Sequence, residues 1–330
     1  MTVQAIEAVF GVVAIGRNEG ERLKRCLHSA LSTTPHVVYV DSGSQDGSVV
    51  FARSVDVDVV ELDTSTPFTA ARARNAGFRR LKELVPAVEF VQFVDGDCEF
   101  ASGWLAEAAA FLLATPKAAA ACGRLRERHP ERSIYNRLCD AEWNTPIGRA
   151  LACGGIAMMR ADPFDQVQGF REGLIAGEEP ELCLRLRRGG WEIWRLDAEM
   201  AWHDAAMTRF GQWWRRSERA GHAYAEGSAL HGTSPERHWV RESRSSWFWG
   251  AGLPVAALLA ASLFGSWGLL LLLAYPLQFL RMLTRSTDEA SLKVPRAFFL
   301  LLGKFPEMLG QVRYWKNRAA RRRSLLIEYK

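Results

Sequence analysis

Apolar and polar positions alternate regularly over the first hundred residues. Phe10–Ile15 (FGVVAI) is an unbroken apolar run of the length expected for a buried strand. Glu19–Ser32 follows, with Leu23, Cys26, Leu27, Ala30 and Leu31 at helical spacing. Val37–Val40, Val57–Leu62 and Phe90–Val94 read as further strands, and Thr69–Leu84 as a basic amphipathic helix. Strands alternating with helices predict a mostly parallel sheet covered by helices on both faces. Ligands of such sheets collect outside the carboxyl ends of the strands. Asp41, Asp95 and Asp97 each follow a predicted strand, so they share that edge. Residues 100–240 read as less regular and are rich in Trp and Arg.

The pattern changes after residue 244. From Ser245 to Leu280 no residue is charged. As a helix, Val255–Tyr275 alone would span roughly 30 Å, about one bilayer core. Gly265-Ser-Trp-Gly268 predicts a break within it. Arg241 and Arg244 precede the stretch, and Arg281 and Arg285 follow it. Positive charge on both flanks predicts a hairpin dipping in from the cytoplasmic face of the membrane. Ala297–Leu302 adds a second apolar patch, and Arg318, Arg321, Arg322 and Arg323 suit an interfacial helix on anionic lipid. The organisation expected is a catalytic domain over residues 1–240. Residues 241–330 then form an apolar hairpin or transmembrane helix with a basic amphipathic tail.

Charge and cysteine usage sharpen this picture. The net charge is +5, yet residues 281–330 carry 12 Lys/Arg against 4 Asp/Glu, which leaves −3 for the chain before them. A basic tail directly after an apolar stretch favours a membrane surface over nucleic acid. With 48% hydrophobic and 24% charged residues, the chain has the composition of a folded protein. Its 6 cysteines form no CxxC pair, which argues against a structural zinc or redox motif and for a reducing compartment. The N-terminal residues lack the pattern of a secretory signal.

Four elements can carry chemistry. Asp95-Gly96-Asp97 sets two carboxylates on one tight turn, where they can reach a divalent cation such as Mn²⁺ or Mg²⁺. Gly177-Glu178-Glu179-Pro180 opens a short predicted helix, with Glu179 at or near its N-cap, poised as a general base. His203, expected a short turn beyond a strand at Trp191–Leu196, can complete a metal site begun by carboxylates. Arg72 and Arg74, and further on Arg215, Arg216 and Arg219, can neutralise a diphosphate. After the first strand the chain reads Gly16-Arg-Asn-Glu-Gly20, without the GxGxxG of a dinucleotide site.

The order of these motifs resembles that of family-2 glycosyltransferases. The match runs through Ala14-Ile-Gly-Arg-Asn-Glu19, Val40-Asp-Ser-Gly-Ser-Gln-Asp-Gly47, Ala73-Arg-Asn-Ala-Gly77, Asp95-Gly-Asp97, Gly154-Gly155 to Gly169-Phe170, and Gly177-Glu-Glu179 to Leu186. It covers roughly residues 10–220. The resemblance implies the GT-A fold, a Rossmann-like α/β sheet, and metal-dependent inverting transfer from a nucleotide-sugar donor, UDP- before GDP-. It implies donor contacts from Ile15, Glu19, Asp41, Arg74, Asp95, Gly96, Arg215 and Arg219, and metal contacts from Asp97, Asp95 and His203. Trp143, Gly154 and Gly155 would meet the acceptor, and Glu179, with Glu178 beside it, would supply the base. The family's usual Glu-Asp pair is Glu178-Glu179 here. Processive members carry Gln-x-x-Arg-Trp, whereas this chain reads Gln212-Trp-Trp-Arg-Arg216. The expectation is therefore one sugar per encounter, passed to a lipid-linked or membrane-proximal glycan acceptor. The alternatives are a nucleotidyltransferase and an inactive membrane-surface binding protein.

Overall fold

The computed structural model describes residues 9–233, 235–322 and 324–328. Arg323 lies outside the described residues. The chain divides into two compact units: one of residues up to Pro130 with Cys139–Leu174 and Glu178–Ala206, the other of Glu131–Leu138, Ile175–Gly177 and Met207 onward.

The first unit opens with β1 (Phe10–Gly16), α1 (Glu21–Leu31), β2 (Val37–Asp41), α2 (Ser48–Ser54), β3 (Asp58–Glu61), α3 (Ala70–Leu84) and β4 (Phe90–Asp95). It continues with β5 (Cys98–Phe100), α4 (Trp104–Ala114), β6 (Ala118–Glu127), α5 (Ile134–Trp143, its first half counted with the second unit), β7 (Gly148–Ala150), β8 (Ala157–Arg160), α6 (Ala161–Gln166), α7 (Glu178–Arg188) and β9 (Glu192–His203). The strands form one nine-stranded sheet of order β3-β2-β1-β4-β8-β6-β9-β5, with β7 paired to β9.

The parallel half is built as the apolar pattern predicts. β1 pairs with β2 and β4, and β2 with β3, all parallel. Val12–Ala14, Val38–Val40 and Phe93–Val94 are fully buried, because helices cover both faces of these central strands. The other half is mixed: β8 runs antiparallel to β4 and β6, and β5 and β7 run antiparallel to β9. The stretch read as irregular is therefore ordered. Ala118–Ala121, a helix-favouring run by composition, is a strand with every side chain buried. Pairing with β8 and β9 overrides local preference there. β9 runs unbroken to His203, which is its last residue, so no turn separates the histidine from the strand.

The second unit contains α8 (Phe210–His231), α9 (Val240–Trp247), a π-wound turn at Phe248–Gly252, α10 (Leu253–Phe264), a 3₁₀ stretch at Gly265–Leu273, α11 (Ala274–Arg285), α12 (Ala290–Leu302) and α13 (Lys304–Ala319). α8 and α13 cross with their backbones in contact. A Cβ at Gly221 would lie 1.9 Å from the Glu307 carbonyl oxygen, and one at Gly310 would lie 1.9 Å from that of Glu218. The helical segments from Val240 to Arg285 span 46 residues and are long and apolar enough to cross a membrane, with only 11% of their most apolar window buried. They are not one rod. Gly265 has φ +65°, and a Cβ on Gly268 would fall 2.1 Å from the Ala261 nitrogen, so the chain turns back on α10. Leu258, Leu263, Phe264 and Trp267 are each 66% exposed or more, a surface that water does not favour and lipid accepts. α13 ends at Ala319, so of the basic cluster Arg318 is helical while Arg321 and Arg322 lie beyond the helix.

Replacing Gly310 by Ala should destabilise the second unit. The added methyl meets backbone rather than a flexible side-chain end, and overpacking of this kind costs about 1–3 kcal/mol, more than the ~1 kcal/mol gained in helix preference. Thermal unfolding in detergent checks this, and a variant as stable as wild type would rule out the close crossing.

Candidate active site

The carboxyl ends of β1, β2 and β4 present Ile15, Asp41 and Asp95 on one edge of the sheet. Asp41 is spent locally. Its Oδ1 accepts from the Tyr39 hydroxyl at 2.9 Å, and its Oδ2 accepts from the backbone N–H groups of Gly43 and Ser44 at 2.9 and 2.8 Å. It thereby shapes the loop that follows β2 at this edge. Burial and the neighbouring Asp41 charge push the Tyr39 phenol well up, so it stays a donor. The Gly96 N–H donates to the Ile15 carbonyl at 2.8 Å, pinning the Asp95-Gly-Asp97 turn to the end of β1. Glu19 pairs with Arg22 at 2.7 Å.

Arg74 organises the centre. It sits on α3 and is 2% exposed. One terminal nitrogen donates to Asp95 Oδ1 at 2.8 Å and the other to Glu178 Oε1 at 2.7 Å. Burial opposes its charge, but the two carboxylates outweigh that and hold its pKa above the usual arginine value. A Cβ on Gly155 would come 2.7 Å from the guanidinium, so the Gly154–Gly155 loop lies directly against it. Asp95 itself keeps 39% of its side chain exposed and can still face a ligand.

Asp97 and His203 meet a few residues away. His203 Nε2 lies 3.1 Å from Asp97 Oδ2, brought there by the β5–β9 pairing of Cys98 with His203. His203 Nδ1 is buried and makes no hydrogen bond among the described residues. Ligand atoms of Asp97, Cys98 and His203 lie within 4.8 Å of one another and can hold a metal ion. The ring of Trp143 packs edge-on against His203 with centroids 4.7 Å apart.

The two adjacent glutamates have different surroundings. α7 starts at Glu178, earlier than the proline predicts, so Glu179 lies within the first turn and not at the cap. Pro180 is tolerated there because first-turn N–H groups have no partner within the helix. Glu178 faces Arg74. Glu179 is 4% exposed, and its Oε1 accepts from Cys153 N at 2.6 Å, Cys153 Sγ at 3.1 Å and Cys183 Sγ at 2.9 Å. Burial raises its pKa above the usual carboxylate range, against the lowering effect of these donors. Burial also pushes the Cys183 thiol to about 11, and contact with Cys183 together with burial raises Cys153, so both stay protonated donors. Two thiols and a carboxylate form a soft donor set, unsuited to Mn²⁺ or Mg²⁺. Their role in this site is to clamp Glu179.

Of the residues the sequence nominates, Glu19, Asp41, Arg74, Asp95, Gly96, Asp97, Trp143, Gly154, Gly155, Glu178, Glu179 and His203 all belong to the first unit. Arg215 and Arg219 lie on α8 in the second, where Arg219 Nε donates to the Ile175 carbonyl at 3.1 Å and Arg215 is exposed. The thiol clamp is a feature the sequence reading missed. Cys183 stands four residues after Glu179 on a predicted helix, which is a usable signal. Nothing local marks Cys153.

The family model for glycosyl transferase family 2 matches residues 12–167, which run from within β1 to the end of α6 and include the Asp95-Gly-Asp97 turn. Among solved structures, the mannosyltransferase PcManGT from Pyrobaculum calidifontis, in complex with GDP-Man and Mn²⁺, is similar in fold at 19% identity and TM-score 0.62. The match covers 96% of this chain and 90% of that one. S. aureus TarS (residues 1–349) is similar at 14% identity and TM-score 0.52, covering 94% of this chain and 92% of that one. No curated protein matches the sequence. With the motif series, the mixed sheet and the family match in agreement, residues 12–167 form a glycosyl transferase family 2 region, in a chain with the GT-A fold of an inverting enzyme acting on a nucleotide-sugar donor and carrying a membrane-associating helical region.

Proposed function

We propose that this enzyme transfers one sugar per encounter to a lipid-linked or membrane-proximal glycan acceptor at the cytoplasmic face of a membrane. The observation that carries the site assignment is the buried Arg74 bridging Asp95 and Glu178, beside the Asp97–His203 pair. The acceptor class rests on the exposed apolar surface of the second unit, which would hold the enzyme where lipid-linked glycans are concentrated.

In this reading Asp97 and His203, with Asp95 alongside, hold a divalent ion. The oxygen and nitrogen donors suit Mn²⁺ or Mg²⁺, and the buried, unpartnered His203 Nδ1 is consistent with a histidine oriented through its other nitrogen. When bound, the ion supplies positive charge to the departing diphosphate. Ile15, Glu19, Asp41 and Gly96 line the nucleoside side, and Arg74 keeps Asp95 aligned. Glu179 is the base. Its raised pKa makes it a competent proton acceptor, and the Cys153 N–H fixes its direction. Glu179 takes the acceptor hydroxyl proton as the oxygen bonds to the anomeric carbon. The nucleoside diphosphate leaves from the opposite face with the bonding electrons, so configuration inverts. Trp143 and the Gly154–Gly155 loop border the acceptor side. A UDP-sugar is the first donor candidate on family pattern. GDP-mannose is the second, because the structurally similar PcManGT holds it together with Mn²⁺.

Donor binding should require metal and Asp97. Titration with UDP- and GDP-sugars, with Mn²⁺ and with chelator, should show one donor bound, with affinity falling on the order of 100-fold in Asp97→Ala. Equal binding with chelator present would overturn the metal assignment.

The two glutamates should separate by function. Glu179→Gln should lower turnover by about 10²–10⁴-fold while leaving donor affinity intact, whereas Glu178→Gln should weaken donor binding by loosening Arg74. Because Glu179 must be ionised to act and burial raises its pKa, turnover should fall as pH drops through a midpoint above the ordinary ~4.3 of glutamate. The opposite pattern in the two variants would make Glu178 the base.

A further inference from the structure

The segment joining α8 to the apolar hairpin carries three arginines that neither the fold nor the proposed transfer uses. Arg237, Arg241 and Arg244, with Ser245, Phe248 and Trp249, line an open cavity of about 600 Å³ in the second unit. The spacing of 237, 241, 244 and 248 follows one side of α9 and its approach. All three arginines are exposed, and among the described residues none is paired with a carboxylate. Glu242 is the one acid between positions 237 and 249, and it does not line the cavity.

Backbone geometry supports a built feature. Arg237 and Trp239 both have positive φ, 47° and 54°, which is costly for residues with a side chain. Trp239 is held there by packing: its ring stacks on His238 at 4.4 Å and meets Tyr224 edge-on at 5.4 Å. The turn thus directs Arg237 to the same cavity as the two arginines of α9. At the other end the aromatic pair Phe248–Trp249 begins the uncharged stretch, and the Tyr275 hydroxyl donates to the Trp249 carbonyl. Cationic side chains, then interfacial aromatics, then exposed Val255, Leu258 and Leu259 follow one another along the chain. This is the order in which a membrane lipid presents headgroup, interface and acyl chain.

We infer that this cavity binds the phosphate headgroup of a membrane lipid, with the lipid's apolar chain running along the exposed face of α10. Arginine forks pair with phosphate oxygens through two parallel hydrogen bonds, and Ser245 offers a further hydroxyl donor. The site is independent of which sugar or acceptor the first unit uses.

The full-length protein in mild detergent, titrated with phosphatidate, tests this. A triple variant Arg237→Gln/Arg241→Gln/Arg244→Gln should bind on the order of 100-fold more weakly, from about fivefold per arginine. The control Arg318→Gln/Arg321→Gln/Arg322→Gln should bind as wild type does. Unchanged metal-dependent donor binding and helical circular dichroism would show that the first variant is folded; if it is not, the single variant Arg241→Gln, with its expected fivefold loss, takes its place. Inorganic phosphate should displace the lipid only at concentrations far above those of phosphatidate. Equal losses in both triple variants would mean general surface charge, and no loss in either would mean purely apolar insertion. Displacement by inorganic phosphate at matched concentration would mean a free-phosphate site. Each of these three results overturns the assignment.

Discussion

A guanidinium buried to 2% exposure is the constraint around which the first unit is arranged. Arg74 cannot lose its charge, and burying it unpaired would cost several kcal/mol. Asp95 and Glu178 make the arrangement stable, and in doing so they tie the end of β4 to the start of α7 through a residue of α3. Removing either carboxylate would leave a buried charge half compensated. The glycine at position 155 completes the arrangement, because any side chain there would occupy the space of the guanidinium. The Asp95-Gly-Asp97 turn, the start of α7 and the Gly154–Gly155 loop thus share one anchor.

That anchor also separates two neighbouring acids of the same type. Successive residues on a helix point about 100° apart. Glu178 is directed at Arg74, while Glu179 is directed into a pocket of two protonated thiols and one backbone N–H. The first is held by a fixed positive charge. The second is desolvated, and its proton affinity rises. Environment rather than residue type divides a charge-paired carboxylate from a desolvated one.

The second unit follows a different logic. Its internal crossing of α8 and α13 relies on glycines that let backbones touch, and its hairpin turns where Gly265 adopts a left-handed conformation. Outside those contacts it leaves large apolar side chains exposed, a surface suited to membrane association.

Periodicity alone located the parallel strands β1 to β4, the helices between them and the acids at their ends, because these features are local in the chain and repeat with fixed spacing. The apolar stretch and its flanking arginines were equally legible, since a bilayer selects on composition over about 20 residues. The mixed half of the sheet was not. Ala118–Ala121 favours a helix by itself and becomes a strand only because β8 and β9 flank it. Likewise, His203 faces Asp97 through the pairing of β5 with β9, Glu178 reaches an arginine 104 residues away, and Cys153 meets Glu179 across 26 residues. Such partners are chosen by packing of distant segments, and no short-range pattern encodes the distance between them. The sequence by itself determined which acids, arginines and histidine are available at the ends of these elements. Only the tertiary structure decided which of the two adjacent glutamates pairs with an arginine and which is desolvated among thiols, because that depends on burial and on neighbours the chain brings together by folding.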